Sequence, residues 1–300
     1  MPMDAKICNN DFDQHFKLFH ELMSKKIREI LLVSTPYDAW IMEQDCCLSE
    51  RIINEYRGLN LSHPPRLTWV ATAEEALRKL RQQRFDMVIT MPRLADMDAF
   101  VLGQKIKHLA PDLPVILFSH SSIPTHECTI SHTRPPGIDR IFVWTGSTDI
   151  LLASIKSTED AMNVDQDTEY GGIRVILFVE DSPIYLSSIL PIFYKELVSQ
   201  TQEVMEEGLN EEHRLLTMRA RPKILVAENY EEAMRLYRRY EPYILGVLSD
   251  VRFPKQCVMH EDAGVDFLRQ VKEDHFDIPL LLGSSEPSNA RKAKDLQGGV

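Results

Sequence analysis

Acidic side chains follow two apolar runs in the C-terminal half of the chain. Glu180 and Asp181 close the segment VILFVED, and Asp250 closes the segment ILGVLSD. If both runs are parallel strands of one sheet, their carboxyl ends meet at the same edge and bring the three side chains together. Carboxylates at one point repel each other unless a cation holds them, and Mg²⁺ prefers such oxygen ligands. The pattern therefore predicts a Mg²⁺ site, with one carboxylate open to phosphoryl transfer.

A hydroxyl group is predicted beside this site. The fourth apolar run of the same half, PLLLG, ends at Gly283 and is followed by Ser284. A hydroxyl at the end of a neighbouring strand lies on the same rim as the carboxylates, where a phosphate would bind. On the residues alone, a structural alternative stays open, in which Glu180 and Asp181 cap a helix and Asp250 begins a turn.

Strand-like and helix-like segments alternate along the chain. Five apolar runs of strand length are found before residue 145, with helical patterns between most of them, and the series then restarts with four more runs. This alternation predicts βαβ units, and therefore an α/β fold with doubly wound parallel sheets. The runs lie at 27–35, 67–72, 86–91, 113–119, 138–144, 175–179, 223–228, 244–249 and 280–283, and one of the helical patterns lies at 149–160.

The restarted series predicts two tandem domains. The polar segment 163–172, NVDQDTEYGG, is predicted to link a first domain at 27–162 to a second domain at 173–300. Three phenylalanines and a methionine at helical spacing predict an amphipathic helix within residues 1–26. Measured against the first domain, the second lacks its last strand and helix, which would follow Val300.

Composition excludes several classes of protein. With 44% hydrophobic and 26% charged residues, the 300-residue chain is globular and not disordered. A formal net charge of -11 argues against binding to nucleic acid, and no apolar run approaches the roughly 20 residues of a membrane helix. Five cysteines without a C-x-x-C pair indicate a reducing, cytoplasmic setting. The chain also lacks the glycine-rich nucleotide-binding motifs G-x-x-x-x-G-K-[ST] and G-x-G-x-x-G.

The segments VILFVEDSP, LSDVRFP and PLLLGSS together resemble a response-regulator receiver domain of bacterial two-component signalling. The resemblance implies a flavodoxin-like sheet of order 2-1-3-4-5, and a histidine kinase or phosphotransfer protein as phosphodonor. It also implies roles for six residues: Glu180 and Asp181 as the acidic pair, Asp250 as phosphoacceptor, Arg252 as a backbone-carbonyl ligand of Mg²⁺, Pro254 as the proline four positions beyond the phosphoacceptor, and Ser284 as the phosphate-binding hydroxyl. The segment Asp262-Ala263-Gly264 resembles the turn that opens the third helix of such domains.

Two departures from the receiver pattern affect the second domain. Receivers keep a lysine after their fifth strand, and this chain stops before that point, so phosphorylation or its readout would be impaired. The connection from Asp181 to Lys223 is also about twice the usual length, which suggests either a packed elaboration or a helical hairpin for docking.

The first domain keeps the receiver outline without its chemistry. Ser34 and Thr35 stand in place of the acidic pair, and Thr90 or Met91 in place of the phosphoacceptor, while Ser119 retains the hydroxyl. Uncharged side chains neither hold Mg²⁺ tightly nor accept phosphate as an anhydride. The first domain is therefore expected to be a degenerate pseudo-receiver that serves structure or protein binding.

A wider resemblance covers nearly the whole chain. RIINEYRGLNLSHPPR and HRLLTMRARPKILVAENYEEA are similar to the N-terminal tandem-receiver region of bacterial proteins related to pyruvate phosphate dikinase and phosphoenolpyruvate synthase. This resemblance implies a regulatory fragment that is not itself an enzyme, with phosphotransferase domains elsewhere in a longer protein.

Three functions therefore stay open: a phosphorelay receiver module, a phosphorylation-independent scaffold, and the regulatory part of such a phosphotransferase. The second domain is also expected to have an unpaired strand at the edge of its sheet. Such a strand can pair with a second copy of the chain, so a homodimer is a further possibility.

Overall fold

The computed structural model of the chain describes most residues between 22 and 292. The described residues are 22–44, 50, 52–54, 56, 64–120, 135–144, 146–206, 220–286, 289, 291 and 292. They form two parallel β-sheets, flanking helices and one antiparallel hairpin. Among them, no helix combines the length and the apolar character needed to cross a membrane.

The first sheet has five parallel strands in the order β2-β1-β3-β4-β5. Hydrophobic clusters pack on both of its faces, which explains why its central strands are apolar throughout. The predicted α/β class and the order 2-1-3-4-5 are therefore confirmed for this sheet. The strands are β1 Glu29–Val33, β2 Arg66–Val70, β3 Met87–Thr90, β4 Val115–Ser119 and β5 Arg140–Val143.

Four described helices accompany the first sheet: α1 Pro36–Gln44, α2 Ala73–Gln82, α3 Ala99–Leu109 and α4 Asp149–Gly171. Side chains cap the start of two of them. The Thr72 hydroxyl accepts a hydrogen bond from Glu75 N at 3.2 Å, and the Asp98 carboxylate accepts one from Phe100 N at 2.8 Å. These caps satisfy N–H groups that have no partner within the helix, and so set where α2 and α3 begin.

The second sheet has four parallel strands in the order β11-β8-β6-β7. When the four strands are numbered 1 to 4 along the chain, beginning with β6, their order in the sheet read from β7 is 2-1-3-4. This is the order predicted for the second domain. Within the residues that the structure describes, no further strand pairs with β11. The strands are β6 Val175–Val179, β7 Lys223–Ala227, β8 Ile244–Asp250 and β11 Leu280–Gly283.

The helices of this half are α5 Pro183–Glu206, α6 Tyr230–Tyr240 and α7 Ala263–Asp274, with a 3₁₀ turn at Glu241–Tyr243 after α6. A hairpin of β9 Phe253–Lys255 and β10 Val258–His260 lies between β8 and α7. Helix α5 accounts for the first part of the long connection between β6 and β7. The rest of that connection, residues 207–219, lies outside the described residues.

The observed extent of helix α4 differs from the prediction for residues 149–172. The helix does not end at 160, and the segment predicted as a linker forms its last turns, up to a left-handed cap at Gly172 (φ 60°). The segment looked like a linker because it is polar and acidic, yet Asn163, Asp167 and Thr168 are buried. Asn163 and Asp167 have partners far away in sequence, such as Lys223 Nζ, which lies 2.8 Å from Asp167 Oδ2, whereas the Thr168 hydroxyl donates to Val164 O within the helix. Where one domain ends and the other begins stays a prediction.

The amphipathic helix predicted within residues 1–26 falls outside the described residues except at 22–26, which are not helical, and so stays a prediction. Met23 adopts a left-handed conformation (φ 51°) that ends regular structure. Its N–H donates to Asp167 Oδ1 at 3.0 Å, and Lys25 N donates to Asn163 Oδ1 at 2.8 Å. The backbone N–H groups of Met23, Lys25 and Ile27 therefore find their acceptors in side chains of α4 and not within a helix.

One hydrophobic cluster joins the two sheets. It contains Phe142 of β5 and Phe178 of β6, with buried side chains of α4 and α5 between them, among them Leu151 and Leu190. At the edge of the first sheet, Val143 N donates to the Ser187 hydroxyl of α5 at 2.8 Å. The two sheets therefore share a core, and β5 of the first contacts the helix that follows the site of the second.

Candidate functional site

Strands β6 and β8 are neighbours in the second sheet, and the predicted acidic residues lie where these strands end. Val179 is paired with Ser249 in the register, so Glu180 and Asp250 follow on adjacent strands at one edge. One carboxylate oxygen from each of Glu180, Asp181 and Asp250 lies within 4.8 Å of the other two. The fold thus brings these residues, here called the carboxylate cluster, to a single point.

Backbone groups hold part of the cluster in place. Glu180 is only 4% exposed; its N–H donates to Ala227 O at 2.9 Å and its Oε1 accepts from Ser182 N at 2.9 Å. These bonds tie the residue after β6 both to β7 and to the turn that starts α5. Asp181 and Asp250 are only partly buried, so their side chains are more accessible to solvent than that of Glu180.

The electrostatics of the cluster favour a cation. Burial, followed by the charges of Asp250 and Asp181, raises the pKa of Glu180 to about 8 despite the Ser182 hydrogen bond. Burial and then the Asp250 charge raise the pKa of Asp181 to about 6, and burial raises the pKa of Asp250 above its ordinary value. Without a cation, the cluster therefore retains protons near neutral pH, and a divalent ion would displace them.

The donor set suits Mg²⁺ in chemistry and in size. Opposite oxygen ligands of Mg²⁺ are separated by about 4.2 Å, twice its bond length of roughly 2.1 Å. The oxygens of Glu180, Asp181 and Asp250 already lie within 4.8 Å of one another, so small side-chain rotations would bring all three to one ion. Ions of this kind also keep several waters, which leaves coordination positions for a phosphate oxygen.

Ser284 follows β11, in which Gly283 is the register partner of Asp250. The residue therefore lies at the same edge of the sheet as the cluster. Its Oγ accepts hydrogen bonds from Glu286 N at 3.1 Å and from Asn289 Nδ2 at 2.9 Å. Both bonds use the oxygen as acceptor, which leaves the hydroxyl proton available to a phosphate. The role of Ser284 stays a prediction.

Arg252 lies just beyond the cluster, where its N–H is 3.4 Å from Asp250 Oδ2. Its guanidinium Nη1 is 3.6 Å from Glu261 Oε1, an exposed pair that contributes little to stability. The predicted contribution of its backbone carbonyl to a metal site stays a prediction. Pro254 lies in the short strand β9, so the hairpin begins where the receiver resemblance places the proline.

A glycine allows α7 to approach the end of strand β8. Gly264 N donates to Val251 O at 2.9 Å, which anchors the first turn of α7 to the end of β8. A Cβ atom at position 264 would lie 1.8 Å from Asp250 O and 3.0 Å from Ser249 Oγ, which no side chain tolerates without moving the backbone. The glycine of the segment Asp262-Ala263-Gly264 therefore helps to hold Asp250 in position.

Sequence reasoning missed Glu228, which follows β7 at the same edge. Glu228 is the fourth acid of this edge, and its charge contributes to raising the pKa of Asp181, after burial and Asp250. Its position directly after the run KILVA offered the same signal as the other three acids. The carboxylate of Glu228 is bound by Arg140 of the first sheet at 2.7 Å, a contact that the sequence did not indicate.

At the corresponding edge of the first sheet, uncharged side chains stand at the positions equivalent to the carboxylate cluster, and Asp38 lies nearby, bound to Thr35 and His120. Ser34, Thr90 and Met91 are fully buried, and the Ser34 hydroxyl accepts from Trp69 Nε1 at 3.0 Å. Within the described ranges, the carboxylate cluster of the second sheet is the one group of three or more potential metal-binding side chains. That the first domain lacks the chemistry of a receiver stays a prediction.

Replacing Glu180 with glutamine is expected to stabilise the metal-free protein at pH 8. The pKa of Glu180 rises from 4.5 to about 8 on folding, so the folded state holds a proton more tightly and loses stability as pH rises through this window. Glutamine removes this cost and keeps an oxygen for Ser182 N, so the gain should be about 2–4 kcal/mol. The gain should disappear near pH 4.5 and is measured by thermal unfolding in EDTA at both pH values.

Magnesium provides the control for the Glu180→Gln experiment. Adding Mg²⁺ at pH 8 should raise the unfolding temperature of the wild type more than that of the variant, because only the wild type offers the third carboxylate. If the wild type were as stable as the variant at pH 8 in EDTA, this result would contradict the raised pKa of Glu180.

Comparisons with known proteins concern the fold. The chain is similar to the receiver domain of an HD domain-containing protein from Pseudomonas fluorescens Pf-5, with 21% identity over 47% of this chain and 93% of that chain and a TM-score of 0.33. It is similar to a CheY-like receiver domain protein from Methanospirillum hungatei JF-1 (22% identity, 48% and 99% covered, TM-score 0.35). A third similar structure is the response regulator TrrA from Thermotoga maritima in complex with Mg(2+)-BeF (19% identity, 44% and 99% covered, TM-score 0.34). No protein-family model and no curated protein matches the chain.

Proposed function

We propose that the second domain is a phosphorelay receiver that accepts a phosphoryl group on Asp250 in a Mg²⁺-dependent reaction. The observation that carries this proposal is the convergence of three carboxylate oxygens, within 4.8 Å of one another, at the carboxyl edge of β6 and β8. The cluster is partly buried, which strengthens its interaction with a cation, yet it is open enough at Asp181 and Asp250 for a donor to reach it.

The proposed step is nucleophilic attack by a carboxylate oxygen of Asp250 on the phosphorus of the donor. A new O–P bond forms to give an acyl phosphate, the N–P bond of a phosphohistidine breaks, and the leaving imidazole takes up a proton. When bound, Mg²⁺ neutralises charge on the transferring phosphoryl oxygens. Ser284 at the end of β11 would donate its hydroxyl proton to one of those oxygens. A histidine kinase or phosphotransfer protein is the proposed donor.

The first domain is proposed to be an interaction domain that is not phosphorylated. Its support is the replacement of the carboxylates by buried Ser34, Thr90 and Met91. Its fold and its hydrophobic core are intact, so it retains a rigid surface that another protein could bind. In a longer protein, the whole chain would serve as a regulatory part of a phosphotransferase, a role compatible with either state of the second domain.

Beryllofluoride, which mimics a phosphoryl group on a carboxylate, tests the proposed function. The full chain is expected to bind it saturably in the presence of Mg²⁺ and not in EDTA, as followed by fluorine NMR or calorimetry. Absence of binding at millimolar beryllofluoride with Mg²⁺ would contradict phosphoryl acceptance, and would favour a phosphorylation-independent scaffold.

A further inference from the structure

A single strand of the first sheet contacts two parts of the site in the second sheet. At the start of β5, the Arg140 guanidinium donates from Nη1 to Glu228 Oε1 at 2.7 Å and from Nη2 to Val226 O at 3.1 Å. The Arg140 and Glu228 side chains are only 16% and 22% exposed. Two donors of one planar guanidinium, both largely shielded from water, hold this contact more firmly than an exposed ion pair.

Glu228 lies on the rim of the carboxylate cluster. It directly follows Ala227, whose carbonyl accepts from Glu180 N at 2.9 Å. Val179 of β6 is the register partner of Ala227, so Glu180 and Glu228 follow neighbouring strands at the same edge of the sheet. The Glu228 N–H in turn donates to Glu232 Oε2 at 3.0 Å, which fixes the residue to the first turn of α6. Arg140 therefore neutralises an acid that is held close enough to the cluster to affect its charge.

The other end of β5 holds the helix that follows the acidic pair. Val143 N donates to Ser187 Oγ at 2.8 Å, and this hydrogen bond is buried. The Ser187 hydroxyl donates in turn to Pro183 O, in the first turn of α5. Pro183 is two residues beyond Asp181, so β5 positions both the turn after β6 and the acid after β7.

We propose that the first domain sets the metal affinity of the carboxylate cluster through Arg140, which cancels the negative charge of Glu228 and fixes its position. This inference rests on the proposed function, because it requires the cluster to bind Mg²⁺. Arg140 is a positioning residue that acts through Glu228, without contact to the cluster. A partner that displaces β5 would uncover the charge of Glu228, so the domain without receiver chemistry would control the domain that has it.

The test compares Mg²⁺ affinity by calorimetry at low salt in the wild type, Arg140→Met, Glu228→Gln and the double variant of the full chain. Arg140→Met leaves an uncompensated acid near the cluster and should tighten binding by about three- to tenfold. Glu228→Gln leaves an uncompensated cation and should weaken binding by a similar factor. The double variant should return to within about twofold of the wild type, and all changes should shrink in 0.5 M salt.

A merely structural role for Arg140 gives a different result. Loss of packing would weaken binding in Arg140→Met, and Glu228→Gln would not restore it, which would overturn the inference. Unchanged affinity in both single variants, with Mg²⁺ bound by the wild type, would also overturn it while leaving the proposed function intact. A wild type that binds no Mg²⁺ would overturn both. Should Arg140→Met fail to fold, Arg140→Gln, which removes the charge but keeps a hydrogen-bond donor for Glu228, is measured in its place; it should tighten binding in the same direction, and weaker or unchanged binding would overturn the inference.

Discussion

Replacing Asp250 with asparagine is expected to reduce phosphorylation of the chain at least about 100-fold, because an amide cannot replace the carboxylate nucleophile. The substitution keeps the size and the shape of the side chain. It also removes one of the three charges that converge within 4.8 Å, so Mg²⁺ should bind more weakly as well. The measurement is incorporation of phosphate from acetyl phosphate with Mg²⁺, detected as a mass increase of the intact protein.

A matched control for this prediction is Asp277→Asn. Asp277 is exposed and lies before β11, whereas the site lies beyond the other end of that strand. The variant removes the same charge from the same domain at the opposite edge of the sheet, and it should be phosphorylated like the wild type. Phosphorylation of Asp250→Asn at the wild-type rate would show that the acceptor lies elsewhere, and peptide mapping would then locate it.

Replacing Asp160 with asparagine is expected to lower the free energy of unfolding by about 3–5 kcal/mol. Asp160 lies on α4 and is fully buried. Its carboxylate accepts from both terminal nitrogens of Arg221 at 2.7 and 3.0 Å, from the Tyr194 hydroxyl at 2.9 Å, and from Ile224 N at 3.0 Å. Asparagine would remove the carboxylate that accepts hydrogen bonds from both terminal nitrogens of the Arg221 guanidinium, which is 1% exposed.

Such a loss is a large part of the roughly 5–15 kcal/mol that stabilises a typical domain. It is measured by denaturant unfolding, with Glu169→Gln as the control on the same helix. Glu169 is exposed, so its replacement should change the free energy of unfolding by less than about 0.5 kcal/mol. Equal effects of the two substitutions would contradict the inference that the Asp160–Arg221 pair joins α4 to β7.

Removing both charges provides a further check on this pair. Asp160→Leu combined with Arg221→Met should be less destabilising than the sum of the two single changes, because neither charge is then left buried alone. Lys223, which pairs with Asp167 at 2.8 Å, is the first residue of β7, and Arg221 lies two residues before it. Helix α4 therefore holds one end of the strand whose other end carries Glu228.

The carboxylate cluster shows how much a sequence can determine locally. The segments VILFVED and ILGVLSD each consist of an apolar run that ends in acid. A parallel sheet covered on both faces requires such runs, and parallel strands place their carboxyl ends at one edge. Side-chain type and position along the run therefore predicted the α/β class and the meeting of Glu180, Asp181 and Asp250, and the receiver resemblance predicted the strand order; the structure shows all three.

Partners that are distant along the chain could not be predicted in this way. Residues 163–171 look like a linker by composition, and become the buried end of α4 only because β7 and residues 23–25 satisfy their polar groups. Likewise, nothing near Arg140 indicates that it binds Glu228, which lies 88 residues further along the chain.

The sequence by itself determined the strands and the acids at their ends, because these depend on local patterns of burial and on the direction of parallel strands, whereas the strand order followed only from the resemblance to receiver domains. Only the tertiary structure decided which charges are buried, which helix joins the sheets and which residues of the first half reach the site of the second. Burial of a charge depends on a counter-charge brought close by folding, and that pairing has no local signature.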